Sequence, residues 1–121
     1  MFALERLAQV QQNDKPILIY STFPSPAEAE RVGAVLVDAG LAACVNIIPG
    51  MTAIYIWQGQ RQHDSECVMI IKTRAGCAER VIAQVRKLHP YTNPALLVLP
   101  VTGGSDDFTR WLAQQTAEPG S

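Results

Sequence analysis

Runs of apolar residues alternate with helix-like apolar stripes along this chain. Residues 17–23 are apolar on both faces, a pattern typical of a central strand in a sheet that helices cover. Pro24 ends this strand. Ser25 then offers an N-cap, Pro26 suits the first helical position, and Glu28 would complete a capping box. The sequence therefore predicts a strand followed by a helix.

The predicted helix has an apolar stripe and a glycine suited to its end. Gly40 fits the position after the last turn, because glycine tolerates a left-handed backbone. Gly33 lies inside the helix, where it costs about 1 kcal/mol relative to alanine. Close packing of the helix on the sheet would explain that glycine. The stripe consists of Ala29, Val32, Val35, Leu36 and Ala39.

Two long extended segments predict a β-hairpin. The first runs over residues 41–57 and is interrupted at Pro49-Gly50, which predicts a bend or a bulge. Residues 58–60 supply the turn, and residues 63–73 form the return strand. These arms exceed the usual strand length of about 5–6 residues. A hairpin of this length is expected to reach a neighbouring subunit.

The remaining sequence predicts a helix, a strand and a further helix. Apolar residues at helical spacing indicate a helix over residues 75–89, which Pro90 ends. Residues 95–101 predict the fourth strand. Ser105 can cap a third helix. The predicted inner face of that helix consists of Phe108, Trp111 and Leu112.

The order β-α-β-β-α-β plus a final helix predicts an α+β fold, a ferredoxin-like sandwich with an additional C-terminal helix. Residues 1–14 are predicted to be an N-terminal appendage, either a frayed helix or disordered, because their apolar spacing fades into polar sequence. Residues 15–117 form the predicted domain, and residues 118–121 are a tail.

The composition excludes several classes of partner. A single domain is expected from 121 residues, of which 48% are hydrophobic and 17% charged. A net charge of −1 does not indicate the basic surface that nucleic-acid binding requires. No apolar run approaches the roughly 18 residues of a membrane span, and the N-terminus lacks the order of a signal peptide. We expect neither a nucleic-acid partner nor a membrane partner.

The three cysteines have no CxxC spacing, which argues against a disulfide framework and fits reduced thiols in a cytoplasm. Cys44 lies in an apolar strand and is predicted to be a buried small hydrophobe. Cys77 begins a helix, but no general base neighbours it in sequence. His63 and Cys67 are four residues apart on a strand, hence about 13 Å apart, and cannot chelate one metal ion.

Unusual chemistry is concentrated between Leu88 and Pro94. This stretch contains His89, one of two histidines in the chain, at the junction of a helix and an apolar strand. One imidazole rarely holds a metal ion by itself, although three chains could each contribute one at a symmetry axis. A rigid connector that shapes a ligand cleft is the alternative, and both interpretations stay open.

Alternation along the hairpin groups the other candidate residues. Tyr55 and Trp57 share one face, which suits either a subunit interface or the wall of a pocket. Glu66 and Lys72 are six residues apart, so both point to one face of the return strand. That arrangement would place opposite charges near a cleft beside Tyr91. An ordinary surface pair is the alternative.

Several motifs resemble those of the CutA divalent-cation-tolerance family. The most specific is the run from Gly40 to Gly50, and the ordered matches extend from about Ile17 to Thr116. Residues 1–14 lie outside the resemblance. The other matching motifs are Tyr55-x-Trp57-x-Gly59, Glu66, Lys72-Thr73, His89-Pro90-Tyr91-x-x-Pro94, Leu97-x-Leu99-Pro100-Val101 and Trp111-Leu112.

The resemblance implies a cytoplasmic, non-catalytic homotrimer that is linked to the response to metal ions. Its subunits would be ferredoxin-like and joined by long hairpins, in an architecture similar to that of the PII signalling proteins. A copper ion or another small ligand would bind in an inter-subunit cleft. The candidate cleft residues in this chain are Trp57, Glu66, Lys72, His89 and Tyr91.

The copper ligands proposed for the family match this chain at one position only. The ligands proposed for enterobacterial members are a cysteine late in the first strand and two adjacent histidines before the proline. The corresponding residues here are Ser21, Leu88 and His89. Serine and leucine are poor copper ligands compared with thiolate or imidazole. His89 is therefore the one candidate metal ligand of this set.

Three other functions fit the same topology. An RNA-binding module would need stacking aromatics and a basic surface, and residues 68–71 offer neither. An acylphosphatase-like hydrolase would need a glycine-rich, arginine-bearing loop after the first strand, and residues 22–26 contain neither glycine nor arginine. A PII-like signalling or scaffold trimer without a metal site stays open.

Overall fold

The computed structural model describes residues 13–116. The predicted tail and almost all of the predicted N-terminal appendage lie outside the described residues. The elements in chain order are β1 (Pro16–Phe23), α1 (Pro26–Asp38), β2 (Cys44–Trp57), β3 (Gln60–Arg74), α2 (Ala78–Leu88), β4 (Leu97–Pro100) and α3 (Asp106–Gln115).

The described strands form one antiparallel sheet in the order β2-β3-β1-β4. The predicted order of strands and helices is confirmed. β1 and β2 are consecutive strands joined by α1, yet they are not neighbours in the sheet, because β3 lies between them. Each of the two central strands is therefore paired on both sides.

Alternation along β1 separates the two faces of the sheet. Its odd-numbered residues are buried and its even-numbered residues are half-buried. The buried face packs against α1 and α2, whose apolar stripes point toward it. The core includes Ile17, Ile19 and Phe23 from β1, Met69 and Ile71 from β3, Ala29, Val32 and Leu36 from α1, and Val81 and Val85 from α2.

The ends of α1 follow the predicted signals in part. The Ser25 hydroxyl accepts a hydrogen bond from the Glu28 backbone N–H at 3.3 Å, so the predicted N-cap is confirmed. The Glu28 carboxylate instead accepts from Arg31 at 2.8 Å, where a capping box would direct it to the backbone of Ser25. Gly40 follows the helix with a φ of +71°, which suits glycine.

The hairpin is continuous from Cys44 to Arg74, with arms of 14 and 15 residues. The predicted bulge is confirmed, because the register between β2 and β3 shifts between Ile48 and Met51. The turn places Gln58 and Gly59 at φ values of 50° and 78°, as a two-residue type I′ turn requires.

Two predicted boundaries and one predicted face are corrected. Residues 75–77 form a 3-10 turn before α2, and β4 covers four residues where seven are predicted. In α3, Leu112 is buried, as predicted, but Phe108 and Trp111 stay 45% and 40% exposed. The prediction that these two aromatics are buried is wrong for the single chain, because α3 has too few neighbours to cover them.

Replacement of Gly33 by alanine is expected to destabilise the fold by about 1–2 kcal/mol. An added Cβ would lie 2.8 Å from Val45 Cγ2 and 3.2 Å from Met69 Sδ. This clash outweighs the gain of about 1 kcal/mol in helix propensity. Chemical denaturation measures the change. In a Val45→Ala background the same substitution should cost less, and an equal cost in both backgrounds would contradict the packing explanation.

Candidate functional site

A cleft of about 780 Å³ lies where the outer half of the hairpin, toward its turn, meets the connection between α2 and β4. This volume falls within the range of small-molecule sites, about 300–1,000 Å³. Its floor comes from the sheet face opposite α1 and α2, and its walls come from the hairpin and the connection. The residues that line it include Tyr20, Tyr55, Trp57, Glu66 and Tyr91.

The bulge in β2 decides which hairpin side chains reach the cleft. Ile48 pairs with Val68 before the bulge, whereas Met51 pairs with Glu66 after it. Even-numbered residues of β2 share the face of Glu66 before the bulge, and odd-numbered residues share it afterwards. Tyr55 and Trp57 therefore turn toward the cleft.

Glu66 is the buried charged group of the cleft. Its side chain lines the cleft, while the residue as a whole is only 8% exposed. Its Oε2 atom is buried and has no hydrogen-bond partner among residues 13–116. A buried carboxylate oxygen without a partner is costly. The site therefore offers an acceptor that a ligand could satisfy.

Two tyrosines are linked to acidic groups around the cleft. The Tyr55 hydroxyl donates to Asp64 Oδ2 at 2.6 Å, and this hydrogen bond raises the pKa of Tyr55 to about 12. Burial, followed by the negative charges of Glu66 and Asp64 and by a hydrogen bond to Glu66, raises the pKa of Tyr91. Both phenols are therefore neutral donors at neutral pH.

His89 lies behind the cleft wall and holds the connection in place. Its Nε2 is 2.7 Å from the Thr22 carbonyl oxygen, so Nε2 bears the proton and donates. Its Nδ1 accepts a hydrogen bond from the Tyr91 backbone N–H at 3.0 Å. The ring stacks on Phe23 at 4.2 Å and contacts the Tyr91 ring at 4.9 Å between centroids. The neutral Nε2–H tautomer fits these contacts.

Acidification is expected to destabilise the protein through His89. Burial lowers the pKa of this imidazole below its ordinary value of about 6.5. The unfolded chain therefore takes up the proton first as the pH falls. The stability that the neutral ring provides is complete above about pH 6.5 and is lost as the pH falls toward the folded-state pKa. Denaturant unfolding between pH 7.5 and pH 5 measures this loss.

The matched control for this pH effect is His89→Gln, which keeps a polar side chain without a proton to gain in this range. The parent protein should lose more stability than the variant between the two pH values. Equal losses would assign the pH dependence to other groups and contradict the role of His89.

Lys72 lies away from the cleft of the single chain. It shares a strand face with Glu66, as predicted, but six residues of strand separate them by about 20 Å. Its ammonium is 5.5 Å from the centroid of the Phe108 ring, which suits a cation–π contact. The five predicted cleft residues thus divide: Trp57, Glu66 and Tyr91 line the cleft, His89 supports it, and Lys72 is elsewhere.

The positions that correspond to the family's copper ligands do not form a metal site in this chain alone. Ser21 is fully buried on the core face of β1, and its Oγ has no partner among residues 13–116. Both ring nitrogens of His89 are hydrogen-bonded. Within the described part of the chain, no group of three His, Cys, Asp or Glu residues is arranged to hold a metal ion. Metal ligation by His89 stays a prediction.

The cysteines take up structural positions. Cys67 and Cys77 are buried, and burial raises the pKa of the Cys67 thiol. Cys44 is half-buried, so its predicted full burial is wrong; it lies in the edge strand β2, where the single sheet leaves one side open.

The sequence did not single out Tyr20, Thr22 or Asp64 as members of the site region. Tyr20 and Thr22 are two residues apart on β1 and therefore share one face of the strand. This spacing is the one sequence feature that groups them. Asp64 lies two residues before Glu66 and points to the same face. The cleft itself arises from the connection folding over the hairpin, for which the sequence holds no local pattern.

An antiparallel α+β sheet, with a ligand-sized cleft along the outer half of a long hairpin, defines the structural class of this protein. The sequence profile described as "CutA1 divalent ion tolerance protein" matches residues 17–115. The chain belongs to this family.

Known relatives cover most of the chain. The divalent-cation tolerance protein CutA of Thermus thermophilus is 38% identical over 99 residues, which are 82% of this chain and 96% of the relative. The chloroplastic protein CutA of Arabidopsis thaliana is 38% identical over 92% of this chain, which spans 61% of that relative's length.

A solved relative has the same fold. The structure of the periplasmic divalent cation tolerance protein CutA from Archaeoglobus fulgidus is similar with a TM-score of 0.81 and 36% identity. The match covers 84% of this chain and 98% of the Archaeoglobus fulgidus chain.

Proposed function

We propose that this protein is a non-catalytic homotrimer of the divalent-cation tolerance class, with a small-ligand cleft that a neighbouring subunit completes. Membership of the CutA1 divalent ion tolerance family supports the tolerance class. The observation that supports assembly is the apolar sheet face that α1 and α2 leave open. The element order and the position of β3 between β1 and β2 support a ferredoxin-like subunit.

The open face presents apolar side chains that a soluble single domain would normally cover. Leu97 and Leu99 on β4 are 62% and 45% exposed, and Ile48 on β2 is also exposed. Their register places them on the face of Leu18 and Tyr20, away from the two helices. Exposed apolar patches of this kind mark interaction surfaces. A second and a third copy of the same chain are the proposed occupants.

The far end of the hairpin supports the same assembly. Ile54, Tyr55, Ile56 and Trp57 are all exposed in the single chain, on both faces of the ribbon. A two-stranded ribbon with apolar residues on both faces is marginal in water unless it packs on something else. Packing of this ribbon on a neighbouring subunit would bury these residues and close the cleft.

Copper is the proposed metal of this class, with His89 as its candidate ligand. Binding at either ring nitrogen would break a hydrogen bond, to Thr22 at Nε2 or to Tyr91 at Nδ1. These bonds favour the second candidate function, a PII-like signalling or scaffold trimer with no metal site of its own. We propose a cytoplasmic location for either form. Among the described residues, no helix is long and apolar enough to cross a membrane.

Two measurements test these proposals separately. Light scattering should give a mass close to three times the 13.2 kDa of one chain, and a mass near one chain would refute the trimer. Calorimetric titration with Cu⁺, Cu²⁺ and Zn²⁺ compares the parent protein with His89→Ala. Binding that the substitution abolishes supports the metal site, whereas unchanged binding removes His89 as a ligand. Absence of binding in the parent favours the scaffold.

A further inference from the structure

The cleft is acidic, and nothing in its own wall neutralises it. Glu66 lines it as a buried carboxylate with one oxygen unpaired among residues 13–116. Asp64 lies two residues before Glu66 on the same face of β3. Its negative charge contributes to the raised pKa of Tyr91. The described cleft lining contains no lysine or arginine. A cation is therefore the kind of group that would satisfy the site.

Part of the cleft wall is aromatic. Tyr20, Tyr55, Trp57 and Tyr91 all line the same cleft as Glu66. Aromatic faces attract cations through their quadrupole, and tryptophan and tyrosine do so well. An aromatic wall also packs against the methyl or methylene groups that flank an ammonium nitrogen. A carboxylate with one unpaired oxygen, beside the Tyr91 ring, matches an organic cation.

A bare metal ion fits this cleft less well. Hard divalent cations require about six or more oxygen ligands, and softer metals prefer thiolate or imidazole. Between residues 13 and 116, no three His, Cys, Asp or Glu residues are arranged so that they could hold a metal ion. The volume of about 780 Å³ is also far larger than one ion needs and suits a small molecule.

We infer that the cleft binds a small organic ammonium ion, whose charged nitrogen sits on Glu66 and whose carbon groups pack against the ring of Tyr91. This inference rests on the proposed role of the cleft as a small-ligand site and specifies the chemical class of that ligand. The positive charge of the ammonium group compensates the Glu66 carboxylate, and an ammonium N–H, where the ligand carries one, can donate to Glu66 Oε2.

Matched pairs of probes test the charge requirement. Choline is compared with its uncharged isostere, in which carbon replaces the quaternary nitrogen, and n-butylammonium with n-butanol. Calorimetry on the full chain at constant ionic strength should show each cation binding at least about tenfold more tightly than its neutral partner. Equal affinities within both pairs would reveal an apolar cleft without cation preference and overturn the inference, as would a lack of binding by both cations.

The variant Glu66→Gln keeps the shape of the side chain and removes its charge. It should weaken binding of the better cation at least about tenfold and leave the neutral isostere unchanged. Glu79→Gln, at an exposed glutamate in the first turn of α2, is the matched control and should bind as the parent does. Unaltered cation binding by Glu66→Gln overturns the assignment of Glu66.

Light scattering on the same samples separates failure of this inference from failure of the proposed function. A trimer that discriminates neither pair of probes retains the proposed assembly and loses the ammonium site. A protein that is monomeric and still prefers cations retains the ammonium site and loses the proposed assembly. A Glu66→Gln protein with parental mass and circular dichroism shows that its binding defect is local.

Discussion

Replacing Phe23 with alanine is expected to lower the free energy of unfolding by about 3–5 kcal/mol. Phe23 is fully buried and is among the largest side chains of the core. Its ring also stacks on His89 at a centroid distance of 4.2 Å, so the truncation removes both core packing and the support of the cleft wall. Equilibrium unfolding in denaturant, at one fixed protein concentration, measures the loss.

Phe23→Leu is the matched control because it keeps most of the apolar volume. It should lose clearly less stability than Phe23→Ala. The alanine variant should also move the pKa of His89 toward its ordinary value, since water would reach the ring; NMR titration of the imidazole measures this. A loss under about 1 kcal/mol for the alanine variant would show that the site collapses around the cavity.

Replacing both Leu97 and Leu99 with glutamate is expected to convert the proposed trimer into folded monomers. The two side chains are the exposed apolar residues of β4 on the open face of the sheet. Three copies would bring six carboxylates into an apolar interface, where unpaired charge is strongly disfavoured. Light scattering should report the mass of one chain, and circular dichroism should report the retained fold.

Val37→Glu is the control for this change. Val37 is 41% exposed, close to the exposure of Leu99, but it lies on α1 at the other side of the sheet. This variant should keep the mass of the parent. If the double variant also keeps the trimer mass, the open face of β4 is not the subunit interface.

Local patterns were sufficient for most of the fold. The alternation in β1, the stripe of α1 and the cap at Ser25 each depend on neighbours within a few residues, and all three are present as predicted. The bulge at Pro49-Gly50 was predictable for the same reason, because proline and glycine interrupt a strand locally. The sequence also predicts close packing at Gly33, and Val45 is the residue that packs there.

The candidate site was predictable in part. The sequence predicts Trp57, Glu66 and Tyr91 as cleft residues, and all three line one cleft. Lys72 was grouped with them because strand alternation gives the face of a side chain but not its neighbours across space. Its nearest ring is Phe108, a residue 36 positions later in the chain, which no spacing rule connects to it.

The stretch at His89 is predictable from the sequence only in its local structure. Its proline and histidine mark the end of α2 and identify the family, and both follow from the residues alone. The protonation and the role of the ring depend on Thr22, 67 positions earlier, and on the backbone of Tyr91. A hydrogen bond of that kind exists only once the sheet has brought the two segments together.

The sequence by itself therefore determined the order of the elements, their amphipathic faces and the family, because these depend on spacing along the chain. Only the tertiary structure decided that the cleft collects Glu66 with four aromatic rings, that Lys72 lies outside it, and that one oxygen of Glu66 has no partner among the described residues. Burial and pairing are set by segments that meet in space, and distance along the chain does not contain that information.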